Sequence, residues 1–135
     1  MASVHRTIDV DIPASDAWAA VRDVGATDRL FPGVLTSCRL EDGVRTVTFA
    51  NGLVARERIV DIDEGRRRLA YAVVGSERLL HHHASLEVVE RSPGAARIVW
   101  IADFLPDAMR PAIEALTEQG AHAMKTALEQ RRTVA

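Results

Sequence analysis

The chain has 135 residues and a net charge of −2 at pH 7, a size for one domain with one core spanning 1–135, and a balance that is not the footprint of a nucleic-acid binder. The cations are arginines scattered among acids, with Lys125 the single lysine, and the lone Cys38 can form no disulfide within the chain. No apolar run approaches the ~20 residues of a membrane span, and Asp9 and Asp11 interrupt any leader-like N-terminus, so a cytoplasmic protein without a membrane span is expected.

Val4, Arg6, Ile8, Val10 and Ile12 alternate with His5, Thr7, Asp9 and Asp11, the period of two that marks a half-buried strand. Pro13 ends it, and Ser15 can start a helix that carries Trp18 and Val21 inward. Gly25 breaks that helix, and a short turn through Leu30 and Phe31 stops at Pro32-Gly33. From 34 to 104 the chain reads as six strands, near 34–41, 44–49, 53–62, 66–74, 80–90 and 96–104, separated by turn-forming residues. Such short connections make consecutive strands antiparallel neighbours.

The last stretch, Asp107 to Arg131, places Met109, Ile113, Leu116, Gly120, Met124 and Leu128 on one helical stripe. Asp107 can cap its start, and at ~1.5 Å per residue the helix is long enough to cross a small domain. Gly120 and several alanines thin the stripe, so either another group meets the helix closely there or space is left against it. A sheet with one wet face needs cover on the other, and this is the one helix long enough to supply it.

Strand parity selects the side chains facing that helix. A three-residue Asp63-Glu64-Gly65 turn, with Gly65 left-handed, predicts Glu57 opposite Tyr71, Ile59 opposite Leu69 and Asp61 opposite Arg67. An Ala50-Asn51-Gly52 loop predicts Phe49 opposite Leu53, Val47 opposite Ala55 and Arg45 opposite Glu57; a two-residue turn would put Phe49 and Val47 on the wrong side. In the last hairpin, His82, Ala84, Leu86 and Val88 face in with Ile98, Trp100, Ala102 and Phe104, and an outward His83 pairs with Asp103.

The pattern Pro13-Ala14-x-x-Ala17-Trp18, the Asp63-Glu64-Gly65 hairpin, Val99-Trp100 with Asp103-Phe104-x-Pro106, and the alanine-rich final helix resemble the START/Bet v 1-like (SRPBCC) superfamily. Within it the chain is most similar to the bacterial polyketide cyclase/dehydrase-like branch. The resemblance implies an α+β helix-grip fold, a seven-stranded curved antiparallel sheet wrapped around a long C-terminal helix, with two short helices between strands 1 and 2 and a cavity for a hydrophobic ligand. Where aromatase/cyclase members carry a ligand-facing arginine, tyrosine and glutamine, this sequence has Ile59, Val34 and Ala102, so their cyclisation chemistry does not transfer.

The inward polar residues are Arg45, Glu57, Tyr71 and His82, and polar groups in an apolar wall need a reason. One reason is chemical: Glu57 as general base, His82 as partner acid, with Tyr71 and Arg45 orienting a carbonyl oxygen. The other is structural: an Arg45–Glu57 pair with Tyr71 bonded onto it. Phe31, Phe49, Ile59, Trp100, Met109, Ile113, Leu116 and Met124 are the expected apolar lining. Successive strand residues point to opposite faces, so His81-His82-His83 cannot chelate one ion, and neither metal nor other cofactor is expected. Cys38 reads as a small buried hydrophobe rather than a nucleophile. Three readings follow: a binder of a small hydrophobic molecule, aromatic or polyketide-like; a lyase or isomerase of cyclase type; or a protein-interaction domain with a filled interior. A monomer and a homodimer are both compatible with the sequence.

Overall fold

A computed structural model describes residues 1–131. In chain order it contains β1 (Ala2–Val10), α1 (Ala14–Val21), a 3₁₀ turn (Val24–Ala26), α2 (Thr27–Leu30), β2 (Leu35–Glu41), β3 (Val44–Phe49), β4 (Val54–Asp63), β5 (Arg68–Val74), β6 (His81–Ser92), β7 (Ala95–Leu105), a second 3₁₀ turn (Asp107–Met109) and α3 (Arg110–Gln130). The seven strands form one antiparallel sheet in the order β1-β7-β6-β5-β4-β3-β2. This is the helix-grip architecture, with α3 gripped by the sheet.

The position of α3 follows from β1. Nine strand residues at ~3.3 Å and twenty-one helix residues at ~1.5 Å both span about 30 Å, so the two elements can run side by side for their whole length. Polar links join them in matching order. Arg110 Nη1 donates to the Ser3 carbonyl (3.1 Å), Arg6 Nη2 to the Glu114 carbonyl (2.8 Å), and Lys125 Nζ to the Asp9 carbonyl (2.7 Å). Arg6 Nε also donates to Thr117 Oγ1 (3.2 Å), and Thr117 Oγ1 donates to the Ile113 carbonyl (2.8 Å). Numbers rise together along both elements, so α3 runs parallel to β1 at one edge of the sheet. The space between α3 and the strands at the other edge is bridged only in part.

The main core lies under the β1, β6 and β7 side: Ile8, Val10, Leu86, Ile98 and Phe104 meet Ile113, Met124 and Leu128 of α3. Trp18 and Val21 of α1 close that core from the end, as their spacing predicts. Trp18 Nε1 donates to Glu64 Oε1 (2.7 Å), and Arg22 grips the same carboxylate (2.6 Å), so the β4–β5 turn is tied down onto α1.

Both short-loop registers expected from sequence hold. Arg45 pairs with Glu57 and Val47 with Ala55, with Gly52 in the left-handed region at φ +91°; Leu86 pairs with Trp100 and His82 with Phe104. The β4–β5 register does not. Ile59 stands opposite Tyr71 and Glu57 opposite Val73, two residues from expectation, and a bulge at Val60 then brings Ile62, not Ile59, opposite Leu69. Asp61 faces Ala70, while Arg67 lies outside the strand. The cause is the turn together with the bulge: Arg67, not Gly65, takes the left-handed position (φ +53°), the longer Glu64–Arg67 loop slips the pairing by three residues, and the bulge at Val60 takes one back.

Three local expectations need correction. Asp107 does not cap a helix: it opens a 3₁₀ turn, α3 follows from Met109 without a side-chain cap, and the Asp107 carboxylate faces the Met1 amino group (3.5 Å). Ser15 does not cap α1, whose first amides use the Pro13 carbonyl. Asp103 stands opposite His83 but takes its hydrogen bond from Ser3 Oγ on the neighbouring strand, so the expected His83–Asp103 charge pair is not formed. No helix among the described residues is long and apolar enough to cross a membrane.

Candidate functional site

A cavity of about 720 Å³ lies between α3 and the inner face of β3–β7. Phe31, Phe49 and Trp100 supply aromatic wall, and Met109, Ile113 and Leu116 supply the helix side. Arg45, Glu57, Tyr71 and His82 stand among them as the polar residues expected from strand parity. Ten of the twelve residues singled out from the sequence therefore line one space. Ile59 and Met124 do not. Ile59, half-buried, packs against the core beside Tyr71, and Met124, fully buried, lies beyond the point where Trp100 touches α3.

The polar residues form a connected set. Arg45, 2 % exposed, donates from Nε to Glu57 Oε1 (2.7 Å) and from Nη1 to the Val24 carbonyl (3.4 Å). Its guanidinium lies 4.9 Å from the centroid of the Tyr71 ring, a cation–π distance. A charge this deep is tolerated because carboxylate, carbonyl and ring all face it. Glu57 reaches the cavity wall with its second oxygen free of any partner among the described residues, so that atom is open to a ligand.

Tyr71 and His82 share a further property. Trp100 Nε1 donates to Tyr71 Oη (3.2 Å), and the Val73 amide donates to His82 Nδ1 (3.1 Å). Each side chain thus already accepts a bond from an N–H of the protein and has a hydrogen left to donate, on the Tyr71 hydroxyl and on His82 Nε2. Electrostatics agrees. Burial, reinforced by the Glu57 charge, raises the Tyr71 phenol well above its usual range, so it stays protonated. Burial, helped by His83 and His81, lowers His82 to about 4 against a weak opposing pull from Asp103, so it is neutral at pH 7. Their rings lie 5.9 Å apart.

His82 also repairs the sheet. The β5–β6 ladder ends at Tyr71 opposite Ala84, and beyond it the strands diverge. The Val73 amide would have no strand partner on that side; the imidazole supplies one.

Sequence reasoning missed the mouth. Leu53 and Val54 at the start of β4, Arg56, and the 75–79 loop with Glu77 and Arg78 line the opening. Leu53 and Val54 are over half exposed, which strand alternation alone does not flag. It also missed Thr117, which occupies the most buried row of α3, while Leu116 sits half-buried beside the cavity. Val34 and Ala102 also line the space. Cys38 is half-buried outside it, its Sγ 3.7 Å from the Val24 carbonyl and its thiol pushed up by burial. Among the described residues no cluster of His, Cys, Asp and Glu could hold a metal ion.

The family model described as "Polyketide cyclase / dehydrase and lipid transport" matches residues 1–129. The chain belongs to this family. Among solved structures, one from Thermobifida fusca is 30 % identical, with a TM-score of 0.78, covering 97 % of this chain and 93 % of that one. The Zhui aromatase/cyclase from a Streptomyces species is 22 % identical (TM-score 0.76; 96 % and 92 % covered). Norcoclaurine synthase from Thalictrum flavum, solved with dopamine and hydroxybenzaldehyde, is 17 % identical (TM-score 0.77; 98 % and 86 % covered). The last two similarities establish the shared fold. No curated protein matches the sequence. Membership in the polyketide cyclase/dehydrase and lipid-transport family is consistent with ligand binding or a cyclase role.

Proposed function

We propose that this protein binds a small, uncharged, hydrophobic molecule, aromatic or polyketide-like, between the sheet and α3. The observation that carries the reading is the cavity itself: about 720 Å³, with aromatic and aliphatic side chains around the Arg45, Glu57, Tyr71 and His82 set and further polar residues, Arg56, Glu77 and Arg78 among them, at its opening. That is the size and composition of a small-molecule site. It also speaks against a protein-interaction domain, which would fill its interior. The Tyr71 and His82 donors fit a carbonyl or ether oxygen on the ligand, and the free Glu57 oxygen fits a hydroxyl.

A second reading, a lyase or isomerase of cyclase type, is favoured by the same free Glu57 oxygen. In it Glu57 takes a proton from a carbon beside the ligand carbonyl, while Tyr71 and His82 hold the oxygen on which charge develops. Native mass spectrometry of the freshly purified protein tests the first reading: a co-purified molecule of a few hundred daltons is expected, lost on unfolding. Should none be found, and should a panel of aromatic ketones and lipids fail to bind in titrations, the binding reading is wrong. Glu57→Gln separates the two readings. Loss of turnover with affinity held within a few-fold identifies the enzyme; a change in affinity or stability alone identifies the binder.

A further inference from the structure

The geometry points to Gly120 on α3 as the position that decides what the inner end of the cavity recognises, acting through Trp100 on the Tyr71 hydroxyl. The inference rests on the binding reading above and adds a positioning residue to it. Gly120 is buried in mid-helix, where glycine is the poorest choice for helix stability short of proline. Its helical backbone has no need of glycine's freedom, so the reason for it is space. A Cβ placed there would lie 2.9 Å from Trp100 Cη2, 3.0 Å from Trp100 Cζ3 and 3.4 Å from Phe31 Cε1. The first is closer than real Cβ atoms approach, and the second is at the edge of that limit. The indole therefore rests directly on the helix backbone. Phe31 braces it, the two ring centroids 5.5 Å apart and tilted by 40°.

Seated there, Trp100 presents its N–H to Tyr71 Oη at 3.2 Å. That bond occupies an acceptor lone pair of the phenol, and it leaves the hydroxyl hydrogen to be donated elsewhere. Tyr71 Oη has the cavity as its remaining neighbour for that hydrogen. The inner end of the space thus asks for a ligand oxygen that accepts a hydrogen bond. A methyl group at position 120 would push the indole off the helix, break its bond to Tyr71 and free the hydroxyl to rotate its hydrogen away from the cavity. Selectivity for an acceptor oxygen would fall, although the added methyl group makes no polar contact of its own.

Three readouts on Gly120→Ala, Trp100→Phe, the double variant and Tyr71→Phe test this. The first needs no ligand. Phenylalanine lacks Cη2, so the added methyl has room in the Trp100→Phe background. Gly120→Ala is expected to lower the urea midpoint when the tryptophan is present and to leave or raise it once Trp100→Phe has removed the indole. The second is NMR: the chain has one tyrosine and two tryptophans, so ¹³Cζ-labelled tyrosine gives one line and the indole N–H region two. Gly120→Ala should move the Tyr71 and Trp100 lines and leave that of Trp18 in place. The third compares 2-acetylnaphthalene with 2-isopropenylnaphthalene, which replaces C=O by C=CH₂. The wild type should favour the ketone by about 5-fold, the worth of one hydrogen bond, and Gly120→Ala and Tyr71→Phe should bring the ratio close to one. Equal midpoint losses in both backgrounds, or a ketone preference that survives Gly120→Ala, would overturn the inference. Should Gly120→Ala not fold, Trp100→Phe is expected to abolish the preference on its own, and its failure to do so counts against the inference equally. Failure of both probes to bind any variant removes the recognition role, the binding reading being judged by mass spectrometry and the wider panel, while the midpoints and NMR lines still judge whether Gly120 holds Trp100.

Discussion

Lowering the pH should weaken this protein at His82, over and above what its carboxylates contribute. In the folded state burial holds its imidazole at about 4, against an ordinary value of 6.5. The unfolded chain therefore binds this proton more readily than the fold, so the stability is intact above pH 6.5 and drains away as pH falls from 6.5 toward 4. At ~1.4 kcal/mol per tenfold change in proton affinity, the gap amounts to about 3 kcal/mol, a sizeable part of the ~5–15 kcal/mol that holds a domain this size together. Protonation would also remove the acceptor for the Val73 amide, at the place where β5 and β6 diverge. The control is His82→Asn, whose Oδ1 can replace Nδ1 as the acceptor for that amide but does not titrate. Urea unfolding at half-unit steps from about pH 7 to 4 should show the wild type losing about 3 kcal/mol more than the variant, most of it between about pH 6 and 4.5. Carboxylates contribute equally to both proteins and cancel in the difference. Parallel loss in the two proteins, or an imidazole C2 proton of His82 titrating near its ordinary value of 6.5, would refute the reasoning.

The Arg45–Glu57 pair predicts strong non-additivity. Arg45→Met alone strands a carboxylate against an apolar wall and should cost about 3 kcal/mol, whereas Arg45→Met with Glu57→Leu should recover most of that, both read by chemical denaturation. If the double variant is as unstable as the two losses summed, the charges are not coupled as described. Thr117→Val keeps the shape of a buried residue but removes the hydroxyl between Arg6 and the Ile113 carbonyl; a loss of about 1–2 kcal/mol is expected, with faster amide exchange in α3 and no loss in β5. A neutral effect would show that the β1–α3 links do not position the helix.

Much of this architecture is legible without coordinates because it depends on local periods. Alternation over 4–12 marked β1, a stripe at three and four marked α3, and parity along the strands turned Arg45, Glu57, Tyr71 and His82 to one face; all four are found there. Two of the three hairpin registers were legible too, one because only one loop length kept Phe49 and Val47 with their apolar neighbours, the other from the alternation of its inward residues. The third was not. Its turn places an arginine, Arg67, in the left-handed region where Gly65 is the residue the sequence recommends, and a bulge at Val60 leaves no mark in composition. A two-residue slip preserves parity, which is why Glu57 and Tyr71 still share the cavity.

Depth along a face is another matter, because it depends on where distant elements cross. Ile59 and Met124 have the right periodicity for lining, yet Ile59 sits half-buried beside Tyr71 against the edge of the core, and Met124 is fully buried beyond the Trp100 contact. The sequence by itself determined which side chains point inward. Only the tertiary structure decided which of them meet empty space, since that is set by α3 lying along β1 at one edge of the sheet and by Trp100 resting on the bare backbone of Gly120.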